Sequence, residues 1–296
     1  MVVEVKGVGE PRIVRGAIQQ LQTYLFDLPR AYGVVAAPYI GDRAGEICKE
    51  AGIGFVDLAG NCRLVFGRVF IERKGFPNLR LEKRPLRTLF APRASRVLRI
   101  LLQEPKRFWQ VQTLAREARV SLGLAFKVKE RLLDLEYAAE EREGMRLARP
   151  EAVLTAWASA YSYQKNAMLD CFGSMDLPNL ERSVSDFCRT KGIQYAFTLF
   201  SGAARVAPFT RYSRGFAYVA GDAAELAAKV GWKLVSSGAN FTILTAYDEG
   251  IFYGMQEVDS EKVASDIQLY LDLAGYKGRG EEAATFILEK RLRPRW

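Results

Sequence analysis

The chain has 296 residues, 49% of them hydrophobic, enough for two or three domains with buried cores; 43 lysines and arginines against 34 carboxylates leave a net charge of +9. It contains no histidine, which excludes Ser-His-Asp and Cys-His triads, histidine-ligated zinc and histidine acid-base chemistry. No apolar run approaches twenty residues and the opening MVVEVKGVGEPR lacks a signal-peptide layout, so a cytoplasmic location without a membrane partner is expected. Cys48, Cys62, Cys171 and Cys188 are widely spaced without a CxxC and read as reduced, mostly buried thiols. Neither GxxxxGK[ST] nor a strand followed by GxGxxG occurs, and no cofactor or metal is expected.

Residues 1–85 predict a small α/β domain. Pro11 to Leu28 has helical periodicity, Tyr32 to Tyr39 reads as a buried strand and Arg43 to Ala51 as a second helix; Gly54 to Leu58, Cys62 to Phe66 and Arg68 to Lys74 follow as three strands. Asp57 before the Gly60-Asn61 turn, with Glu72 and Lys74 on a later strand, has the skeleton of a PD-(D/E)xK nuclease. In such enzymes carboxylates hold magnesium and the lysine assists the attacking water. Loose spacing and the helix interrupting the strand order make a degenerate, restriction-endonuclease-like domain the expectation. A magnesium-dependent nuclease using Asp57, Glu72 and Lys74 is the alternative.

Residues 86–150 predict a winged helix-turn-helix. Ser95 to Leu102 places Val97, Leu98, Leu101 and Leu102 on one stripe and is ended by Glu104-Pro105. Val111 to Ala118 makes a short second helix, Arg119-Val120 the turn, and Ser121 the N-cap of a third helix running through LGLAFKVKERLLDL. On that helix Ala125, Val128, Leu132 and Leu135 face the core, while Gly123, Phe126, Lys127, Glu130 and Asp134 lie opposite and Lys129 and Arg131 flank them. Its N-terminal half is therefore the expected reader of double-stranded DNA, with Gly123 allowing close approach, Lys127 meeting phosphate or guanine and Phe126 a thymine methyl. Tyr137 to Glu141 and Met145 to Ala148 flank a turn at Arg142-Glu143-Gly144, a wing with Arg142 and Arg146 at its tip. Phosphate contacts are expected from Arg93, Arg96, Arg119, Arg131, Arg142 and Arg146, and groove contacts from Ser121, Gly123, Phe126, Lys127 and Lys129.

The basic excess lies entirely in the first 150 residues. Its densest part, Arg80, Lys83, Arg84, Arg87, Arg93, Arg96 and Arg99, leads into the first helix of this unit, where phosphate contact is the better reading than a solvated linker. A protein-interaction module that binds no DNA is the remaining alternative. Dimerisation would supply two half-sites.

Residues 151–296 predict a second α/β domain. Pro150-Glu151 starts a helix, and Asn179 to Lys191, Tyr195 to Leu199, Gly202 to Val206, Phe216 to Val219, Ala223 to Val230 and Phe241 to Thr245 continue as alternating helical and extended segments. Asp266, Asp272, Glu281 and Glu282 read as solvated helix residues, and Lys290, Arg291, Arg293 and Arg295 as a basic tail. No catalytic constellation emerges, and no enzymatic turnover is expected.

The stretches VVAAPYIGDRAGEICKEAGIGFVDLAGNCRL, VSLGLAFKVKERLLDLEY and SDIQLYLDLAGYKGRGEEAATFIL resemble the AbiEi-type antitoxin and transcriptional-regulator family of type IV toxin-antitoxin systems. The resemblance spans most of the chain, GFVDLAGN and IQLYLDL with RGEEAA being its most specific segments. It implies a winged-helix DNA-binding domain joined to a C-terminal antitoxin-like domain, autoregulation of an operon, and a nucleotidyltransferase-like toxin as partner. The N-terminal α/β domain departs from the simpler members of that family.

Overall fold

The computed structural model describes residues 1–78, 89–207 and 211–296. Arg80, Lys83, Arg84 and Arg87 of the basic run, and the expected boundary at residue 85, lie outside the described residues. The fold is mixed α/β, as the alternation of periodicities predicts, and divides into two compact units, Met1–Leu86 with Lys127–Glu141 and Arg87–Phe126 with Arg142–Trp296.

In the first unit β1 (Val2–Val5), α1 (Pro11–Phe26), β2 (Gly33–Ala37), α2 (Asp42–Glu50), β3 (Gly54–Asp57), β4 (Cys62–Phe66) and β5 (Val69–Arg73) form a sheet of order β1-β2-β3-β4-β5. The first three strands are parallel, joined by helical crossovers, and the last two return antiparallel. Val14, Ala17, Ile18 and Leu21 make the apolar stripe of α1 and pack with Ile47 and Cys48 of α2 against Val35, Ala37 and Phe55. The short strand β1 was not anticipated: four residues give too little pattern, and pairing with β2 places it.

The second unit begins with α3 (Pro92–Gln103) and α4 (Val111–Glu117) and takes in the first turn of α5 (Leu122–Asp134), whose remaining turns belong to the first unit. A two-stranded hairpin, β6 (Ala138–Glu141) and β7 (Gly144–Leu147), follows α5. The helix, helix, helix, hairpin order is the expected one. Proline at the first position lets α3 start three residues earlier than predicted.

Then come α6 (Pro150–Ala160), β8 (Ala167–Phe172), α7 (Leu177–Lys191), β9 (Tyr195–Phe197), α8 (Leu199–Val206), β10 (Gly215–Val219), α9 (Ala223–Lys229), β11 (Lys233–Leu234), β12 (Phe241–Thr245), β13 (Gln256–Val258), β14 (Glu261–Val263), α10 (Asp266–Ala274) and α11 (Gly280–Ile287). The strands form one sheet of order β11-β8-β12-β10-β9-β14-β13. Cys171, Phe241 and Ile243 of the sheet pack on Leu180, Val184 and Cys188 of α7 and Leu226 of α9. Asp176 caps α7 by accepting from Asn179 N, and left-handed Gly192 ends it. The expected extended run Tyr195 to Leu199 stops at Phe197, because Leu199 takes a left-handed φ of 47° and opens α8. The strands β8, β11, β13 and β14, absent from the sequence reading, are placed by the sheet; the β13–β14 turn puts Asp259 and Ser260 at positive φ rather than an Asn-Gly pair. Among the described residues no helix is long and apolar enough to cross a membrane.

Candidate nucleic-acid interface

The α5 stripe is buried as its periodicity requires: Ala125, Val128 and Leu132 are almost completely covered, and Leu135 is partly so. Ser121, Gly123, Phe126 and Lys127 are exposed. Ser121 Oγ accepts from Leu124 N at 3.3 Å, the capping bond its position predicts. Arg119 makes the preceding turn at a φ of 52°, and no atom would come within 4 Å of a Cβ on Gly123. Leu122, missed in the sequence reading, is 51% exposed and lies one helical turn before Phe126, 50% exposed. It lies off the Ala125, Val128 and Leu132 stripe, so its apolar side chain is left outward.

The basic residues fall into two groups. Arg93, Arg119 and Arg142 are exposed, as is Lys127, with Arg119 no closer than 3.8 Å to Glu249, whereas Arg96, Lys129 and Arg131 hold carboxylates of their own unit closely. Arg96 forks onto Asp248, with Nε to Oδ1 at 2.8 Å and Nη2 to Oδ2 at 2.7 Å, and donates through Nη1 to Glu249 at 2.6 Å. These contacts raise its pKa further, the hydrogen bond to Asp248 foremost. Lys129 pairs with Glu140, and Arg131 with Glu10 on the loop before α1. Arg146 lies 5.5 Å from the ring centre of Phe108. Glu130 and Asp134, on the exposed side of α5, meet Arg12 at 3.9 and 3.4 Å. Arg99, expected to continue the phosphate-contacting run, is instead buried over Trp157 at 5.0 Å, because α3 is covered on nearly every face beyond its first two residues.

The nuclease-like trio has a different geometry. Register pairs Phe55 with Arg63 and Arg63 with Glu72, so β4 separates the strands bearing Asp57 and Glu72, a spacing of about 9.5 Å for two strand intervals. Asp57 accepts from Ile40 N at 3.0 Å and from Gly60 N, Asn61 N and Asn61 Nδ2 at 2.8 Å each. Glu72 pairs with Lys74 at 2.8 Å and Arg63 at 3.7 Å, and the Lys74 contact foremost lowers its pKa. Asp57 thus ties a turn. Asp57→Ala is expected to cost about 2–3 kcal/mol in urea denaturation and to leave plasmid DNA as intact in magnesium as the wild type does. Cleavage by the wild type alone would restore the nuclease alternative.

Two of the four acidic residues expected in solvent are not there. Asp272 is fully buried and Asp266 nearly so, because α10 has apolar residues on several sides and is packed against α6, α8 and α11. Asp272 accepts from Thr198 Oγ1 at 2.5 Å, Tyr161 OH and Gln268 Nε2 at 2.7 Å, and Tyr218 OH at 3.0 Å. No cation is among these partners, and burial pushes its pKa up to about 6 against the pull of the four donors. The expected basic tail closes onto acids of the same unit: Arg291 and Arg295 onto Asp266 at 3.3 and 3.1 Å, Arg293 onto Glu151 at 2.6 Å. Glu281 and Glu282 are exposed as predicted. Cys48, Cys171 and Cys188 are buried free thiols and Cys62 is a half-buried one; burial pushes Cys48 and Cys188 up to about 12 and Cys171 to about 11, a state of low nucleophilicity.

These features define a mixed α/β protein with an outward, capped helix α5. A family model described as transcriptional regulator, AbiEi antitoxin, type IV TA system matches residues 146–293, half of the chain, and the chain belongs to that family. No match emerges among curated proteins or solved structures.

Proposed function

We propose that residues 86–150 form a winged helix-turn-helix that binds double-stranded DNA in a sequence-specific manner, and that the protein acts as a cytoplasmic, autoregulating transcriptional regulator. The observation that carries this reading is the exposure of Ser121, Leu122, Gly123, Phe126 and Lys127 on a helix whose other stripe is buried. A reading helix enters the major groove with its N-terminal residues at the base edges. Gly123 admits the sugar-phosphate wall, Lys127 a guanine or phosphate, and Leu122 with Phe126 offers thymine methyls an apolar surface. Arg93, Arg119 and Arg142 are the exposed phosphate contacts, and Arg146 on β7 supports them. In this division residues 1–85 and 151–296 are the flanking domains, the latter antitoxin-like. A nucleotidyltransferase-like toxin is the protein partner, and a homodimer would match two half-sites.

Selection of bound sequences from a random duplex pool, followed by mobility-shift titration, tests the proposal. Lys127→Ala is expected to weaken the preferred site about tenfold or more. Arg142→Ala should weaken all sequences alike and reduce the salt slope by about one. A wild-type protein that retains no duplex at any salt concentration would leave the exposed helix as a protein-docking face instead.

A further inference from the structure

The loop after β12 carries acidic groups that lie against the helix-turn-helix elements of the same unit. Asp248 and Glu249 both bind Arg96 of α3, Glu249 Oε2 lies 3.8 Å from Arg119 Nη1 at the turn before α5, and Tyr253 OH donates to Glu117 of α4 at 2.6 Å. The two arginines on Glu249 differ in kind. Arg96 is 17% exposed and its fork closes on Asp248, 9% exposed, so it fixes α3 to the loop. Arg119 is 78% exposed and Glu249 54% exposed, and their contact is long and solvent-screened, so it exchanges readily for a stronger anion. Asp248 also accepts from Gly250 N at 2.8 Å, which holds the loop in shape and keeps Glu249 beside the turn.

We infer that Glu249 is an internal stand-in for a DNA phosphate: it holds Arg119 in the DNA-free protein and yields it to the backbone when duplex binds. This rests on the DNA-reading assignment above and adds regulation to it. Arg119 immediately precedes Val120 and the Ser121 cap, so its partner bears on the entry to the reading helix. The competition is sequence-independent, since Arg119 faces phosphate and not a base edge. The C-terminal domain thereby sets the affinity of the reader through one carboxylate, while Arg96 and Asp248 act only as positioning residues.

The test is a double-mutant cycle on the full chain, read by mobility shift on the selected duplex and on a random duplex at two salt concentrations. Glu249→Gln, at an exposed position that leaves the Arg96–Asp248 fork in place, is expected to tighten binding to both duplexes about two- to fivefold. In an Arg119→Gln background the same change should have little effect. Equal affinities of Glu249→Gln and wild type, or a gain that persists undiminished without Arg119, would overturn the inference while leaving the DNA-reading assignment standing. Absence of duplex binding by the wild type would remove that assignment itself, and this inference with it. Unchanged thermal midpoints of the variants confirm that the comparison is between folded proteins.

Discussion

Asp272→Ala is expected to destabilise the C-terminal domain by about 3–5 kcal/mol, because it removes the shared acceptor of four donors at once, three of them on fully buried residues. Thr198, Tyr161, Tyr218 and Gln268 all converge on this carboxylate, and Leu199, next to Thr198, holds a left-handed backbone that only a tightly determined environment tolerates. Urea denaturation of the variant should show the loss in its midpoint. The wild type should also carry a pH signature. Burial raises the folded pKa of Asp272 from 3.8 to about 6, so the proton is bound more tightly in the folded state. The contribution is therefore fully present below about pH 4 and lost as pH rises through 6, an amount of about 3 kcal/mol. Asp272→Asn keeps a polar group in place without the charge and should abolish this component. A wild-type stability that changes across pH 4–7 as the Asn variant's does would refute the assignment.

Gly144→Ala is expected to unseat the hairpin. Gly144 has a φ of 133°, and a Cβ there would lie 2.6 Å from Trp109 O, inside the bridge in which Trp109 N donates to Met145 O at 2.7 Å and Met145 N to Trp109 O at 3.0 Å. Backbone must move, since neither the φ nor the carbonyl can give cheaply. A cost of about 2–4 kcal/mol follows. Arg142 and Arg146 should lose their positions, so under the proposed DNA-reading assignment duplex affinity should fall severalfold at temperatures where the rest of the chain is still folded. An alanine variant with wild-type denaturation midpoint and wild-type affinity would show the hairpin to be indifferent to this residue.

Much of the geometry of α3, α4 and α5 was legible because each of its signals is local. The α5 stripe, the Ser121 cap and the Glu104-Pro105 stop each depend on residues within a few turns, and all three hold in the structure. The elements around Asp57 were legible for the same reason, but not the meaning of Asp57. Whether a carboxylate holds a metal or ties a turn depends on which strand lies between it and its partner, and the intervening β4 was readable only as a strand. The misreading of Asp272 has a related cause. Gln268 and Asp272 share one stripe of α10 at a spacing of four, and IQLYLDL is apolar on the neighbouring stripes, a pattern that fits a buried polar pair as well as a solvated one.

By itself the sequence determined the class of the protein, the absence of histidine chemistry, the element types and the face of α5 that turns outward, since composition, periodicity and capping act over short spans of chain. Only the tertiary structure decided which charges remain available. Arg96, Lys129, Arg131, Arg291, Arg293 and Arg295 each meet a carboxylate of their own unit, in all but the Lys129 pair one more than a hundred residues away or on a different helix or loop. Coulomb attraction depends on distance in space rather than separation in sequence, so a count of basic residues could locate the positive half of the chain but not which of its arginines stay exposed.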